Sequence, residues 1–302
     1  MMSPPGFNHP PTRLAKLLDG LRSPDGFGAT VLPDVRLLRS THTHLNARVS
    51  YGPSLVIVAQ GRKQGRLGTR TFTYDPQNYL VLSVPLPFEC ETHGTPEEPM
   101  LGIAVQIHLA TIAELILEQP PTPSTSGESQ NALAAAPLTP EMSDAALRLA
   151  TCLYSPNEAR ILGPQIVREM TYRALCGPQG IALRAFAAPQ HRLGQIARAL
   201  RRMHSDYADT LDVGLLAQEA GMGVSTFHAH FKAVTAQPPQ RYLQTIRLHK
   251  AQALMAGGAS VAEAAHQVGY ESPSQFSREF KRLFGGSPKA VITRYRSALS
   301  LF

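Results

Sequence analysis

The feature that most constrains this chain is a helical unit written twice between Val213 and Phe284. The first copy runs from Leu216 to Lys232 and the second from Ala264 to Lys281. Ala217 matches Ala265, Gly221 matches Gly269, and Phe227, Phe231 and Lys232 match Phe276, Phe280 and Lys281. The second copy carries one extra residue after its glycine, and each copy ends near a proline, Pro239 and Pro288. Helix, glycine turn and helix, repeated with basic residues on the second helix, is the arrangement that places a helix in a DNA major groove. Between the copies, Pro238 to Ala256 reads as one long helix with Tyr242, Leu243, Ile246, Leu248, Ala251 and Leu254 on its inner side. At 1.5 Å per residue such a rod is about 28 Å long, close to the ~34 Å turn of B-DNA. Two recognition helices held apart by it can reach adjacent major grooves on one face of double-stranded DNA.

Charge supports the same reading. Of 302 residues with a formal net charge of +7, the part from His191 onward holds fourteen Lys/Arg against seven acids, while the part before it balances fifteen against fifteen. A positive excess confined to the repeat marks a polyanion-binding module. The three cysteines, Cys90, Cys152 and Cys176, are scattered without a CxxC pair, so neither a disulfide framework nor a zinc ligand set is expected. No apolar secretory segment opens the chain and no run of about 18 apolar residues occurs, so the expectation is a cytoplasmic protein with no membrane partner.

In front of the repeat the chain reads as sheet. Leu14, Leu17, Leu18 and Leu21 form a short amphipathic helix; strands are then expected at 30–32, 35–38, 54–59, 66–67, 69–74, 79–84, 89–92 and 101–108, with 61–65 as a turn. Short strands punctuated by turn residues point to a β-sandwich or barrel. Helices are expected at 109–119, from Thr139 to about Leu153, from Asn157 to Leu175, and from His191 to His204. The domain plan is an N-terminal arm and helix at 1–28, a sheet-rich domain with closing helices at 29–186 containing a flexible loop at 119–138, a linker at 187–190 and a helical domain at 191–302. Its two helix-turn-helix units lie at about 212–233 and 260–284.

With these residues in view, the block from Leu211 to Tyr295 resembles the DNA-binding domain of AraC/XylS-family transcriptional regulators. Ala264-Ala265, Val268 to Ser272, Gln275 to Arg278, Phe280-Lys281, Phe284-Gly285 and Ser287-Pro288 all sit at the family's spacing. The stretch from Ser54 to Ile116 is similar to an AraC-type N-terminal domain, a cupin-like β-barrel, and that from Ile161 to Gly180 to its closing helices. The fold class implied is α+β multidomain: a cupin-like barrel with flanking helices, then an all-α domain with two helix-turn-helix units joined by a long helix. The resemblance implies a sequence-specific DNA-binding regulator, usually an activator, that responds to a small molecule or a stress. Reactive aldehydes are the signal in some members. Its implied partners are promoter DNA, RNA polymerase and an effector of unknown identity, with no cofactor and no enzymatic activity. The helices between Thr139 and Leu175 either pair across a homodimer or only cover the barrel.

The phenylalanine pairs fix which side of each recognition helix meets DNA, because residues four apart share a face. Ser225, His228, Ala229 and Lys232 face outward on the first, and Ser274, Gln275, Ser277, Arg278, Lys281 and Arg282 on the second. Arginine can take guanine and glutamine adenine through paired hydrogen bonds. Lys232, Lys281 and Arg282 are expected on phosphates, which position without specifying. The family often carries arginine where Ala229 stands, so more of the hydrogen-bonded readout falls to Arg278. His230 is either a further outward group or a side chain packed between Phe227 and Phe231. Gly221 and Gly269 are expected at positive φ.

In the front half, His42, His44 and His93 are the metal-ligand candidates, but the nearby glutamate of a cupin metal set is missing, so loop histidines are the plainer reading. A cupin metalloenzyme with a DNA-binding appendage is therefore the weaker alternative. The other alternative is an electrophile-switched regulator using Cys90, Cys152 or Cys176, against buried structural thiols. Arg62, Lys63 and Arg66 read as a solvated basic turn, with an anionic effector as the sharper option.

Overall fold

The computed structural model describes residues 12–119, 132–188 and 191–299, with side chains to 293. The arm at 1–11, most of the loop expected at 119–138 and half of the expected linker lie outside the described residues.

Helix α1 (Arg13–Gly20) starts where the Thr12 hydroxyl accepts the Ala15 amide, and it buries Leu14, Ala15 and Leu18. Ten strands follow: β1 (Gly26–Ala29), β2 (Val35–Ser40), β3 (His44–Tyr51), β4 (Ser54–Gln60), β5 (Arg62–Leu67), β6 (Arg70–Tyr74), β7 (Asn78–Leu82), β8 (Leu86–His93), β9 (Met100–Gln106) and β10 (Leu133–Pro137). They form two antiparallel sheets, in the orders β1-β2-β9-β4-β7-β10 and β3-β8-β5-β6. In β4 the five central residues are all buried, because α1 covers the outer face while the barrel interior takes the inner one.

The barrel is closed by α2 (Leu109–Leu117), α3 (Pro140–Cys152), α4 (Pro156–Cys176) and α5 (Gly180–Ala187). Thr139 and Ser155 cap α3 and α4, each followed by proline in the first turn, where the missing N–H breaks no helical bond. The helical half comprises α6 (Arg192–Ser205), α7 (Val213–Glu219), α8 (Val224–Thr235), α9 (Pro239–Ala256), α10 (Val261–Gln267), α11 (Pro273–Phe284) and α12 (Pro288–Leu299). The α+β plan of a barrel followed by two helix-turn-helix units is what the sequence implied. No helix among the described residues is long and apolar enough to cross a membrane.

Several local expectations are corrected. Residues 30–32 are not a strand, whereas β1, β3 and β10 were not anticipated. Strand β10 occupies part of the stretch expected as a flexible loop and pairs along β7 at the sheet edge. The expected turn at 61–65 is a turn at Gly61 only, with φ of +77°. From Arg62 the chain is strand β5, paired with β6 and β8, and it turns Lys63, Gly65 and Leu67 inward.

The buried side chains form two clusters. The larger runs unbroken from the barrel through α5 and α6 into the first helix-turn-helix unit, reaching Phe227, Phe231, Tyr242 and Ile246. The smaller belongs to the second unit alone, with Leu248, Ala251, Met255, Phe276, Phe280 and Ile292. The division falls within α9.

Candidate nucleic-acid interface

The two units are built alike but pinned differently. In the first, Asp212 caps α7 by accepting the Leu215 amide at 2.9 Å, and Gly221 turns the chain at φ +69°. In the second, Ser260 and Glu263 form a reciprocal capping box on α10, and Gly269 turns at φ +80°. Both glycines thus take the left-handed backbone expected of them.

Helix α8 buries Phe227, Phe231 and Val234; Ser225, Ala229 and Lys232 are exposed and His228 is half-buried. His230 is half-buried too, not enclosed between the two rings. Helix α11 buries Phe276, Phe280 and Leu283; Ser274, Gln275, Arg278, Lys281 and Arg282 are exposed and Ser277 is half-buried. Ser272 caps α11 and Pro273 opens it. Arg278 makes no ion pair among the described residues, so its whole donor fork is available. Gln275 is already engaged: its amide donates to Glu279 at 3.2 Å, and Glu279 also accepts the Tyr270 hydroxyl at 2.6 Å. That carboxylate and burial together push the Tyr270 hydroxyl pKa upward, burial first. Paired reading of adenine by Gln275 therefore requires release from Glu279. Arg282 lines the cleft between α11 and the barrel, on the side of the helix nearer the sensor domain.

Helix α9 spans 18 residues, about 27 Å at 1.5 Å per residue. Two of its side chains do work that the sequence did not signal. Arg247 donates to the carbonyls of Tyr207 at 2.7 Å, Asp209 at 2.9 Å and Gly269 at 3.3 Å, so one guanidinium joins the α6–α7 connection to the turn of the second unit. The Tyr242 hydroxyl donates to the Pro85 carbonyl of the barrel at 2.7 Å. Its oxygen lies 2.9 Å from His204 Nε2, and because the tyrosine proton is committed to Pro85, His204 Nε2 is the donor. Burial drops the His204 pKa to about 4, with Lys250 adding to the fall. On the same face of α9, His249 is also lowered to about 4 by burial, then by Arg48 and His204, and its Nε2 is enclosed without a partner.

The front-domain candidates do not converge. His42 bonds Thr41 at 2.9 Å and lies 3.7 Å from Asp25, while His93 is 3.8 Å from Glu91. His44 starts β3 opposite Thr92. No group of three His, Cys, Asp or Glu among the described residues is placed to hold a metal ion. Cys90 is buried 3.3 Å from the Tyr74 hydroxyl, Cys152 is buried with its thiol pKa pushed up by burial, and Cys176 is exposed at the end of α4. Arg48 and Arg66 both pair with Glu89, whereas Lys63, expected in a solvated turn, lies inside the barrel.

Comparison with known proteins agrees with this geometry. The family profile described as the AraC-type transcriptional regulator N-terminus matches residues 31–182, and a helix-turn-helix domain profile matches residues 216–294. An AraC-like transcription regulator of Streptomyces antibioticus is 42% identical over 94 residues, which is 31% of each chain. The HTH-type transcriptional activator RhaS of Escherichia coli O139:H28 is 32% identical over 90 residues, 30% of this chain and 32% of that protein. The chain thus spans about a third of the length of the curated relatives it matches. In overall fold it is similar to ToxT of Vibrio cholerae O395, with a TM-score of 0.57 at 12% identity over 89% of this chain and 98% of that one.

Proposed function

The chain belongs to the AraC-type transcriptional regulators, and from that premise we propose how it reads DNA: α8 and α11 enter adjacent major grooves on one face of promoter DNA. The observation that carries this is the pair of recognition helices, each with a phenylalanine face buried and a polar face open, set apart by the rod of α9. Arg278 reads guanine with its free fork, and Ala229 contacts a thymine methyl. Lys232 and Lys281 hold phosphates; Arg282 does so at the edge of the interface, where it also borders the barrel cleft. Ser225, His228, Ser274 and Ser277 supply further contacts along the two grooves. The barrel takes a small-molecule effector, and the regulator activates transcription by engaging RNA polymerase. The thiol-switch alternative gains no support: two of the three cysteines are buried.

The test is a footprint and binding titration on a cognate promoter. Arg278→Ala should weaken binding by about 1–3 kcal/mol, roughly 5- to 150-fold, and relax preference at one base position. A variant that matches the parent at the cognate site and at sites altered base by base would remove Arg278 from the readout.

A further inference from the structure

Helix α11 carries a carboxylate, Glu279, and it is the one acid on either recognition helix. Facing a phosphate backbone, such a charge costs affinity. Its surroundings show what it does instead. Both its oxygens are committed: Oε2 accepts the Tyr270 hydroxyl at 2.6 Å, and Oε1 accepts the side-chain amide of Gln275 at 3.2 Å. Tyr270 is a fixed post. It is buried, its ring packs edge-on against Phe276 at 5.3 Å, and its backbone amide donates to the Ala265 carbonyl at 3.0 Å. Through Glu279, a residue of the core therefore constrains an exposed side chain on the polar face of α11.

The repeat supplies an independent comparison. Met222 follows Gly221 as Tyr270 follows Gly269, Thr226 precedes Phe227 as Gln275 precedes Phe276, and His230 precedes Phe231 as Glu279 precedes Phe280. Met222 has no hydroxyl to offer and His230 no carboxylate. The chain of hydroxyl, carboxylate and amide is thus a property of the second unit alone.

This chain fixes which way the amide faces. A carboxylate only accepts, so the nitrogen of Gln275 turns towards Glu279 and its oxygen turns away. That oxygen accepts no hydrogen bond among the described residues. Gln275 lies in the first turn of α11, where Ser272 caps its backbone amide at 3.3 Å, and recognition helices meet base edges with their N-terminal residues. Arg278 stands three residues on, a neighbour on the same exposed side. In the major groove adenine N6 and cytosine N4 are donors, whereas guanine O6 and N7 and thymine O4 are acceptors.

We infer that Tyr270 and Glu279 are positioning residues that set the specificity of α11: they hold the Gln275 oxygen outward, so that it selects an amino base, adenine or cytosine, beside the base taken by Arg278. Guanine and thymine are rejected, because a held amide oxygen against O6 or O4 brings two acceptors together with no proton between them. A free glutamine would turn its amide and accept either class. The inference rests on the proposed entry of α11 into the major groove.

The experiment uses the full-length protein and a duplex that it selects from a pool of random sequences. Each position of that duplex is changed to every other base pair, and binding is titrated at fixed salt. At a position neighbouring the one that Arg278→Ala relaxes, the parent should bind adenine and cytosine about five-fold or more tighter than guanine and thymine. Glu279→Ala should bring cytosine, guanine and thymine level at that position alone, while adenine, now open to paired reading, stays preferred. Tyr270→Phe, which keeps the ring, should move the same position in the same direction by less. Gln275→Ala should erase the preference, and adding Glu279→Ala to it should change nothing further there. If Glu279→Ala does not fold, Tyr270→Phe carries the test: an unchanged ratio of cytosine to guanine overturns the inference. Glu279→Ala weakening every duplex by one factor would make Glu279 a support for the helix only and overturn it too, as would a parent with no amino-base preference beside the Arg278 position. In those cases Arg278→Ala still relaxes its own position; if it also leaves every position unchanged, the reading of α11 as a base reader falls with the inference.

Discussion

The two turn glycines offer a matched perturbation, because they occupy equivalent places in the repeat but different surroundings. Gly221 and Gly269 both sit at positive φ, +69° and +80°, where a side chain costs roughly 1–2 kcal/mol. Around Gly221 there is room: a Cβ there would find its nearest neighbour, Gln195 Nε2, at 3.6 Å, an ordinary contact. At Gly269 the Cβ would stand 2.2 Å from the Ala208 carbonyl oxygen. A comfortable C···O approach is about 3.3 Å or more, so Ala208 must retreat by about 1 Å. It cannot retreat alone, because Arg247 holds the carbonyls on either side of it, Tyr207 and Asp209. Those are hydrogen bonds to a charged group, each contributing about 1.5–3 kcal/mol. Gly221→Ala should therefore lose about 1–2 kcal/mol and Gly269→Ala about 3–5 kcal/mol, with the larger loss in the second unit. Urea unfolding followed by circular dichroism measures both; the chain has no tryptophan to report instead. Losses that agree within about 0.5 kcal/mol would refute the argument that Arg247 clamps the second turn.

Two further predictions concern the seam between the domains. Tyr242→Phe leaves the Pro85 carbonyl and the His204 N–H without their partner, so it should lower stability by about 1–3 kcal/mol in the same urea assay while the ring packing of Phe231 against residue 242 persists. His204 and His249 have folded pKa values of about 4, below the ~6.5 of an unfolded histidine, so the unfolded chain binds more protons between those values. Their neutral, buried state is fully stabilising above about pH 6.5 and is lost as pH falls towards 4, by up to roughly 3 kcal/mol for each. Stability measured from pH 7.5 to 4.5 should therefore fall less steeply in His249→Gln than in the parent; parallel curves would show that His249 does not titrate in this window.

What the sequence revealed depended on how local the cause was. The helical half was legible because a phenylalanine pair four apart and a glycine six or seven residues before it leave few other folds. The sheet was harder. Strand β3, His-Leu-Asn-Ala-Arg-Val-Ser-Tyr, shows no clean alternation because it borders the junction cleft and most of it is not buried. Strand β10 is a leucine and three alanines ending in proline, a composition of low β propensity that becomes a strand by pairing with β7. Lys63 was misplaced for the opposite reason. Arg62, Lys63 and Arg66 look like one charged turn until the alternation of Lys63, Gly65 and Leu67 is recognised as the inward face of a strand. That period-two signal was present and was masked by the charge. Tyr242 was read as an inner residue of the long helix and is buried there, but the hydrogen bonds of Arg247 and Tyr242 left no trace, since their partners lie as far as 40 and 157 residues away.

The division of the core within α9 bears on how a signal in the barrel reaches DNA. Up to Ile246 the helix belongs to the cluster that includes the barrel and the first unit; from Leu248 it belongs to the second unit's own cluster. Close-packed interiors transmit displacement rather than absorb it, so the first unit is bound to whatever the barrel does. The second unit meets the barrel across the junction cleft instead, with Arg282, Leu283 and Phe284 on one side and Arg48, Val49 and Tyr51 on the other. A molecule lodged there changes the contacts of α11 without needing to disturb those of α8. Differential contact with two arrangements is what an effector must have in order to shift an equilibrium between them. It follows that effector dependence should concentrate in the half-site proposed for α11 and Arg278, while protection over the half-site proposed for α8 changes least. A footprint in which both half-sites gain or lose protection in equal measure would place the moving joint elsewhere, between the barrel and α6 rather than within α9.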